Sequence, residues 1–251
     1  MTIEKEATNS ANTAAVIIIG NEILSGRTQD INLSYMGKRF DQLGINLVEA
    51  RIVRDVPEEI IEAVNHLRNV SKYVFTTGGI GPTHDDITTY CIAQAFGVDV
   101  ELNPDAVKCV ANGDKPEQVS DARMKMARIP VGATLVDNPV SGAPGYRLEN
   151  VYVFAGVPNI MQAMFEGVAH ELIGGDPVIT KTVSAHMRES QIAEGLDQLQ
   201  NEYPDISIGS YPFYKEQRFG VNVVTRGTDE NELEELDQKL RDLIAELSKS
   251  Y

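Results

Sequence analysis

Buried strands and amphipathic helices alternate along the first part of the chain. Residues 14–19 form a continuous apolar run that ends at Gly20, which is typical of a strand buried on both faces of a parallel sheet. Between residues 31 and 43, apolar side chains recur every three or four positions, and Gly44 follows where a helix commonly ends. This pattern predicts a strand followed by an amphipathic helix.

The alternation continues beyond this helix. Two further strands are predicted at 45–53 and 73–77, and a helix between them is predicted to start at the Asp-Val-Pro-Glu sequence that begins with Asp55. A β-α-β-α-β order requires right-handed crossovers and a mostly parallel sheet. Ligands bind such sheets in a crevice at the carboxyl ends of the strands, so we expect the chemistry in the loops that follow these three strands.

The remaining segments predict a second, smaller domain. A helix, a strand, an irregular helical stretch, two short strands and another helix are predicted, in this order, at 87–96, 98–102, 104–128, 134–136, 151–154 and 158–172. After Gly175 the pattern changes to β-α-β-β-α, which predicts a small α+β sheet with helices on one face. We therefore divide the chain into a flexible tail at 1–12, an α/β domain at 13–175 and an α+β domain at 176–251.

Charge and cysteine content exclude several classes of function. The 251 residues include 37 acidic and 22 basic side chains, so the formal charge is −15 and its field repels a nucleic-acid backbone. Cys91 and Cys109 form no CxxC pair, and the four histidines show no metal-binding spacing, which argues against a zinc site. Residues 1–12 show neither the basic nor the long apolar region of a secretory signal, and the nearby apolar run at 14–19 is too short to cross a bilayer. We expect a cytoplasmic protein that binds neither nucleic acid nor membrane.

The strongest local signal is the glycine-containing loop at 76–86, which follows a predicted buried strand. Gly78, Gly79 and Gly81 allow its backbone to approach a ligand closely, and amides near a helix start attract phosphate or carboxylate. The loop matches neither a dinucleotide-binding GxGxxG sequence nor a P-loop. The alternative interpretation is a glycine-rich turn in which Asp86 caps the next helix.

Three carboxylates follow three of the predicted strands: Glu22, Asp55 and Asp86. Asp85 and Asp86 are adjacent in sequence, so unless the loop is irregular we expect their side chains to diverge and only one of them to act. A carboxylate beside a phosphate-binding loop is unfavourable unless a divalent cation lies between them, which is a common arrangement for magnesium. Asp55 has an alternative role of near-equal weight, as the cap of the helix that follows it.

The segment 138–145 is a second candidate binding loop. Its sequence, Asn-Pro-Val-Ser-Gly-Ala-Pro-Gly, consists of small residues and residues that restrict the backbone. Such a loop can clasp a flat ligand, and it can equally serve only to turn the chain. Both interpretations stay open from the residues alone.

Several of these motifs, in this order, resemble one known family. They are Gly20-Asn21-Glu22-Ile23-Leu24-Ser25-Gly26 with Asp30 and Asn32, Val53-Arg54-Asp55, the loop from Thr77 to Thr88, Asn138-Pro139 through Ala143-Pro144-Gly145, and Gly156-Val157-Pro158. Over about residues 13–175 the chain is similar to the molybdopterin-binding (MoaB/Mog-like) domain. The match is to the form found at the N-terminus of CinA-like competence/damage-inducible proteins and of eukaryotic FAD synthases.

The resemblance implies a three-layer α/β/α fold with a mostly parallel sheet and a crevice that binds a pterin or a nucleotide pyrophosphate. It implies that Glu22, Asp55 and Asp86 are catalytic and hold a divalent metal, either Mg²⁺ or else Mn²⁺ or Co²⁺. Molybdopterin is a further candidate ligand. The ligand-binding positions are then Gly78, Gly79, Gly81, Thr83, Ser25, Asn32, Lys125, Ser141, Gly142, Pro144 and Gly145.

Residues 176–251 resemble the small KH-like domain of the CinA form. This segment has 15 acidic and 8 basic residues, and it lacks the GxxG loop with which KH domains clamp nucleic acid. We expect it to support oligomerisation or to cover the crevice, and we expect the protein to be a homo-oligomer.

Two departures from the family concern the ligand. Lys125-Met126-Ala127 stands where relatives often have Lys-Gln-Ala, and Ser141-Gly142 stands where they usually have Gly-Thr. The leading hypothesis is a metal-dependent pyrophosphohydrolase that cleaves the diphosphate of ADP-ribose- or FAD-like nucleotides, with Lys125 neutralising the leaving phosphate. The alternatives are a molybdopterin- or nucleotide-binding protein without turnover and a molybdopterin adenylyltransferase, which would need ATP.

Overall fold

The computed structural model describes residues 12–215 and 218–249 of the chain. Of the predicted tail at 1–12, residues 1–11 lie outside the described residues, so that prediction stays a prediction. The chain divides into two compact units, and the division falls between Gly175 and Asp176.

A six-stranded sheet forms the centre of the N-terminal unit. The strands described in this unit are β1 (Thr13–Ile19), β2 (Asn46–Val53), β3 (Tyr73–Thr77), β4 (Val100–Leu102), β5 (Arg128–Pro130), β6 (Thr134–Val136), β7 (Gly145–Leu148) and β8 (Val151–Phe154). The order in the sheet is β2-β1-β3-β8-β7-β6, in which β2, β1, β3 and β8 run parallel and β7 and β6 are antiparallel to their neighbours. β4 and β5 pair separately. The predicted mostly parallel sheet is confirmed.

Helices cover both faces of this sheet. They are α1 (Asn21–Leu24), α2 (Asn32–Gln42), α3 (Pro57–Val70), α4 (Thr88–Phe96), α5 (Pro104–Ala111), α6 (Asp121–Lys125) and α7 (Pro158–Val168). Buried side chains of α3, α4 and α5 share one core with one face of β1, and those of α2 and α7 share a second core with its other face. Every residue of β1 is buried, because a central parallel strand packs against helices on both sides. The result is the expected three-layer fold.

Three local differences separate the structure from the sequence pattern. The stretch from Asn138 to Tyr146 reads as turn, yet β7 begins at Gly145 and pairs with both β6 and β8. An α-helix is expected over 158–172, but the α-helix ends at Val168. A 3₁₀ turn, Ala169–Glu171, follows it. The short helix α1 and the strand β5 were not predicted. In each case the pairing or packing of neighbours, which short-range patterns do not contain, determines the local conformation.

The C-terminal unit is a small α+β fold, as predicted. It contains β9 (Ile179–Ala185), α8 (Glu189–Glu202), β10 (Ser207–Lys215), β11 (Arg218–Gly227) and α9 (Glu230–Lys249). The three strands form an antiparallel sheet in the order β10-β11-β9. Ile192 of α8 and Leu233, Leu236 and Leu240 of α9 pack in one core with Val221 of β11 and its neighbours. Both helices therefore bury their apolar sides against one face of the sheet.

Within residues 12–215 and 218–249, none of the helices combines the length and the apolar character that crossing a bilayer requires.

Candidate functional site

A cleft of about 690 Å³ opens at the carboxyl ends of the parallel strands of the N-terminal unit. Segments that follow β1, β2, β3 and β8 line it, which is where ligands bind in open parallel sheets. The residues predicted from the sequence that line it are Glu22, Asp55, Gly78, Gly79, Gly81, Thr83, Asp86 and Ser141. The loops expected to carry the chemistry thus meet in one cavity.

The glycine loop begins with two residues that cannot be exchanged for larger ones. Gly78 has a φ of 105°, and a Cβ there would lie 2.2 Å from the carbonyl oxygen of Ile19. Gly79 has a φ of 69°, and its Cβ would lie 2.2 Å from the hydroxyl of Thr88. That buried hydroxyl donates to the Gly78 carbonyl at 2.9 Å and so ties the loop to the start of α4. The loop backbone is therefore held against the end of β1 with no side chain between them.

Asp55 does not cap the helix that follows it. The N-cap of α3 is Val56, whose side chain makes no capping hydrogen bond, and Pro57 occupies the first turn. Instead, Asp55 Oδ2 accepts a hydrogen bond from the backbone N–H of Asn21 at 2.9 Å. The capping alternative is therefore wrong, and Asp55 connects the end of β2 to the first turn after β1.

Glu22 lies on that first turn and folds back over the end of β1. Its Oε1 is 2.5 Å from the position that a Cβ on Gly20 would take, so Gly20 makes room for the carboxylate. Glu22 and Asp55 thus reach the cleft from neighbouring strand ends.

Asp85 and Asp86 both reach Thr83, because the loop is irregular, which is the condition under which the two side chains were not expected to diverge. The Thr83 hydroxyl lies 2.5 Å from Asp85 Oδ1 and also within hydrogen-bond distance of Asp86 Oδ2. Asp86 Oδ2 accepts a second hydrogen bond from the Thr83 N–H at 2.7 Å. The N-cap of α4 is Ile87 and has no side-chain capping bond, so the capping alternative for Asp86 is also wrong. An irregular loop, rather than a helix, brings the two carboxylates together.

Lys125 holds this loop from outside the cleft. Its Nζ donates to the backbone carbonyl of Thr83, and its side chain lines a smaller neighbouring cavity. The hydrogen bond from Thr83 lowers the pKa of Asp85 below its ordinary value, and the positive charge of Lys125 lowers it further. Asp85 is therefore a carboxylate at neutral pH.

The carboxylates of the cleft are the candidate ligands for the expected metal. Carboxylate oxygens are suitable ligands for Mg²⁺ and Mn²⁺. Within the two described ranges, however, no group of three or more His, Cys, Asp or Glu side chains is arranged as a metal site. The expected set of Glu22, Asp55 and Asp86 is therefore not assembled around one point. Magnesium commonly takes only one or two carboxylates together with water and substrate phosphate, and the carboxylates that line the cleft can supply them.

The second candidate loop is built around a buried asparagine. Asn138 donates through Nδ2 to Ser141 Oγ at 2.6 Å and to the Ala143 carbonyl at 2.7 Å, and its Oδ1 accepts from the Ser141 N–H at 3.1 Å. Asn138, Ser141 and Ala143 line the cleft. The loop therefore both turns the chain and presents a fixed edge to the cavity.

Six of the predicted ligand-binding residues do not line the main cleft: Ser25, Asn32, Lys125, Gly142, Pro144 and Gly145. Ser25 donates through Oγ to the Glu22 carbonyl at 3.1 Å, and Asn32 donates through Nδ2 to the Gly156 carbonyl at 2.8 Å. A Cβ on Gly145 would lie 2.5 Å from the Val153 carbonyl oxygen. These three residues support the walls of the cleft by positioning its backbone.

Arg123 lines the cleft and was missed from the sequence. It lies on α6, where Ser120 Oγ accepts from the Arg123 N–H at 3.3 Å, and its Nε donates to the Val110 carbonyl at 2.7 Å. The sequence around Arg123 predicts only an irregular helical stretch at 104–128. No motif relates this stretch to the glycine loop. Only the tertiary fold brings this guanidinium to the same cavity as the carboxylates.

Comparison with protein-family models gives two consecutive matches. Residues 15–175 match the family described as "Probable molybdopterin binding domain". Residues 177–250 match the model described as "FAD synthase, middle domain".

Individual relatives agree with these matches. A protein of Pyrobaculum calidifontis is 32% identical over 211 residues, which are 80% of each chain. A Caenorhabditis elegans protein named "Probable FAD synthase" is 27% identical, and the match spans 93% of this chain and 50% of that protein. The crystal structure of the protein CinA from Thermoplasma acidophilum, described as having unknown function, superposes with a TM-score of 0.61 at 33% identity. It covers 65% of this chain and 99% of its own.

The cleft, the glycine loop and the parallel sheet occupy the same residues that the first family model matches. The chain belongs to the molybdopterin-binding domain family, in a CinA-like form that is followed by an FAD synthase middle domain.

Proposed function

We propose that this protein is a metal-dependent nucleotide pyrophosphatase that cleaves the diphosphate of ADP-ribose- or FAD-like substrates. One observation carries the proposal: the glycine loop and four carboxylates line the same cleft. Backbone amides of such a loop attract phosphate, whereas unpaired carboxylates repel it. A cation bound with the phosphate resolves that conflict, because it is attracted by both.

The lining of the cleft contains groups suited to both parts of a nucleotide. Gly78–Asp86, Glu22 and Asp55 supply polar groups, and Met126, Val157 and Ile160 supply apolar side chains. A volume of about 690 Å³ falls in the range of small-molecule sites. The diphosphate would lie against the glycine loop and a planar ring against the aliphatic side chains.

Asp86 and Asp55 are the residues that we assign to the metal, which would neutralise phosphate charge and activate a water molecule. Glu22 would orient that water, since its carboxylate covers the end of β1 beside Gly20. Thr83 holds Asp86 in place through its N–H, and its hydroxyl lies within hydrogen-bond distance of the same carboxylate. Arg123 would bind a phosphate oxygen of the leaving group.

The names of the relatives define the substrates to be tested. The Caenorhabditis elegans protein is named for FAD synthesis, and the family is named for molybdopterin. Both ligands join a planar ring system to a phosphate group. We expect chromatography to detect AMP when the purified chain is incubated with ADP-ribose or FAD and Mg²⁺, Mn²⁺ or Co²⁺. Release of pyrophosphate from ATP and molybdopterin would instead indicate the adenylyltransferase.

A second function is supported by one observation. Because the described ranges contain no preassembled group of three metal-binding side chains, a binding protein without turnover also fits the cleft. Such a protein would show a ligand-dependent increase in melting temperature and release no AMP with any of the three metals.

Replacing Arg123 by alanine is expected to weaken nucleotide binding about tenfold, because a charge-assisted hydrogen bond to phosphate is lost. Isothermal titration of the chain with ADP-ribose measures this effect. Lys115→Ala removes an exposed positive charge that does not line the cleft and is the matched control. Equal affinities for Arg123→Ala and Lys115→Ala would show that Arg123 does not contact the phosphate.

A further inference from the structure

Within the C-terminal unit, helices cover one face of the sheet only. Both α8 and α9 pack against the face that carries Val221 and Val223. The pairing of β11 with β10 and with β9 is continuous, so side chains alternate regularly between the two faces. We call the face away from the helices the open face. Its residues are the even-numbered ones of β9 and β11 and the odd-numbered ones of β10.

The open face differs in charge from the helix side of the same unit. Of the 15 acidic residues in 176–251, α8 carries 4 and α9 carries 7. Among the described strand residues, the open face has no Asp or Glu, and its charged side chains are those of Lys215, Arg218 and Arg226. The unit is therefore acidic on its helix side and basic on its open face, although its total charge is negative.

Lys215 and Arg218 are exposed at the far end of the β10-β11 hairpin. They lie directly opposite each other, and like charges in that position are destabilising. Ion pairs of this unit join Lys181, Lys239 and Arg241 to carboxylates of the helices, and within residues 176–215 and 218–249 none joins Lys215 or Arg218 to a carboxylate. An anionic ligand would relieve the repulsion between these two cations.

Aromatic rings lie next to these cations on the open face. A Cβ on Gly220 would be 2.2 Å from Cζ of Phe213 and 2.6 and 2.7 Å from its two Cε atoms. These distances put the Cβ beneath the face of the ring, so Phe213 lies flat over the glycine and turns its other side outward. Tyr211, two residues away, is 59% exposed. His186 adds a third ring, 6.1 Å from that of Phe213.

Flat, accessible rings beside cations are the arrangement with which proteins bind single-stranded nucleic acid. Bases stack on the rings, and the cations contact phosphates. Tyr211 and Phe213 are about 6.7 Å apart along the strand, so two successive bases that are not stacked on each other can each reach one ring. Ser184 Oγ donates to Asn222 Oδ1 at 2.7 Å and so holds an amide in the middle of the face for hydrogen bonds to base edges.

We propose that the open face binds single-stranded nucleic acid, with bases stacked on Tyr211 and Phe213 and phosphates bound by Lys215 and Arg218. The expectation that the protein binds no nucleic acid came from the total charge of −15, which does not show where the carboxylates are. An acidic peptide would match the cations but would leave the flat ring unused. All of these residues belong to the C-terminal unit, so the proposal does not depend on the function of the cleft.

Fluorescence anisotropy of a labelled oligouridine measures binding to the full chain. A single strand of about ten nucleotides covers a site of this size, and about 50 mM salt favours phosphate contacts. The duplex of the same strand with oligoadenosine should bind about tenfold more weakly, because its bases are already stacked. Unlabelled polyglutamate should not displace the oligouridine at an equal concentration of charge.

Tyr211→Leu combined with Phe213→Leu keeps apolar side chains over the glycines but removes both rings. This double variant should weaken oligouridine binding by about tenfold or more, since two stacking contacts are lost. Tyr214→Leu is the matched control. Tyr214 lies on the same strand and is 64% exposed, but it faces the helix side, so its variant should bind like the native chain. Far-UV circular dichroism checks the fold of each variant.

Arg218→Gln tests the phosphate contact. It should reduce the slope of the logarithm of the affinity against the logarithm of salt concentration by about one. Arg188→Gln is its control, because Arg188 lies 5.8 Å from the ring of Phe219 on the helix side of the same hairpin end. This control should leave the slope unchanged.

A tryptophan reporter tests base contact directly, since the chain has no tryptophan. Oligouridine should quench the fluorescence of Tyr211→Trp and not that of Tyr214→Trp. If the double leucine variant does not fold, the arginine and tryptophan variants test the same face. No binding at low salt, equal binding of the duplex, displacement by polyglutamate, equal effects of the leucine variants, equal salt slopes, or equal quenching at 211 and 214 would each overturn the proposal.

Discussion

A chain that carries Asp86→Asn is expected to release AMP at least on the order of 100-fold more slowly than the native chain. The substitution removes the negative charge that we assign to the metal and changes little else. An asparagine oxygen can still accept the hydrogen bond from the Thr83 N–H, which Asp86 now accepts at 2.7 Å. The loop should keep its shape, so ADP-ribose or FAD should still raise the melting temperature. Chromatographic assay of AMP and thermal denaturation measure the two properties separately.

Asp114→Asn is the matched control for this loss of charge. Asp114 is exposed, belongs to the same unit and does not line the cleft, so its variant should keep full activity. Unchanged AMP release by Asp86→Asn would refute the role of Asp86. No AMP release by the native chain, together with ligand-dependent stabilisation, would favour the binding protein without turnover.

Replacing Gly78 by alanine is expected to destabilise the N-terminal unit by about 2–4 kcal/mol and to abolish ligand binding. The new Cβ would lie 2.2 Å from the Ile19 carbonyl oxygen, a backbone atom that cannot move without displacing β1. The φ of 105° adds strain of its own. Gly156 also lies against Gly78, which further restricts how the loop can shift. Urea denaturation measures the loss of stability.

Gly97→Ala separates backbone strain from steric conflict. Gly97 ends α4 with a φ of 67°, and a Cβ there would meet nothing within 4 Å. Alanine at this position should therefore cost only about 1 kcal/mol. If Gly78→Ala were no more destabilising than Gly97→Ala, then the close approach of the loop to β1 would not contribute to stability.

The sheet and its helices follow closely from the sequence because their signals are local. The buried run of β1, the strand β3 and the periodic apolar residues of α2 and α3 appear in the structure within one or two residues of their predicted bounds. β7 was not predicted, because it has no local signal in the sequence. Gly145 and its neighbours have the composition of a turn, and their strand exists through pairing with β6 and β8.

For the candidate site, too, one part was predicted from the sequence and another was not. Parallel strands in alternation with helices bring their carboxyl ends to one edge, so the sequence predicted that Glu22, Asp55 and the glycine loop would come together. It did not predict what each side chain contacts. Asp55 and Asp86 both looked like helix caps, yet one binds the Asn21 N–H and the other binds Thr83. These partners depend on how the loops cross, which spacing along the chain does not specify.

By itself, the sequence determined the fold class, the edge of the sheet that carries the cleft and the glycine loop that lines it, since hydrophobic period and glycine placement are local properties. The tertiary structure alone decided that Arg123 reaches the cleft, that Asp85 and Asp86 share Thr83, and that three expected metal ligands are not assembled. It also decided which face of the C-terminal sheet carries no helix. These features depend on distances between segments far apart in the chain, and such distances are set only when the layers pack.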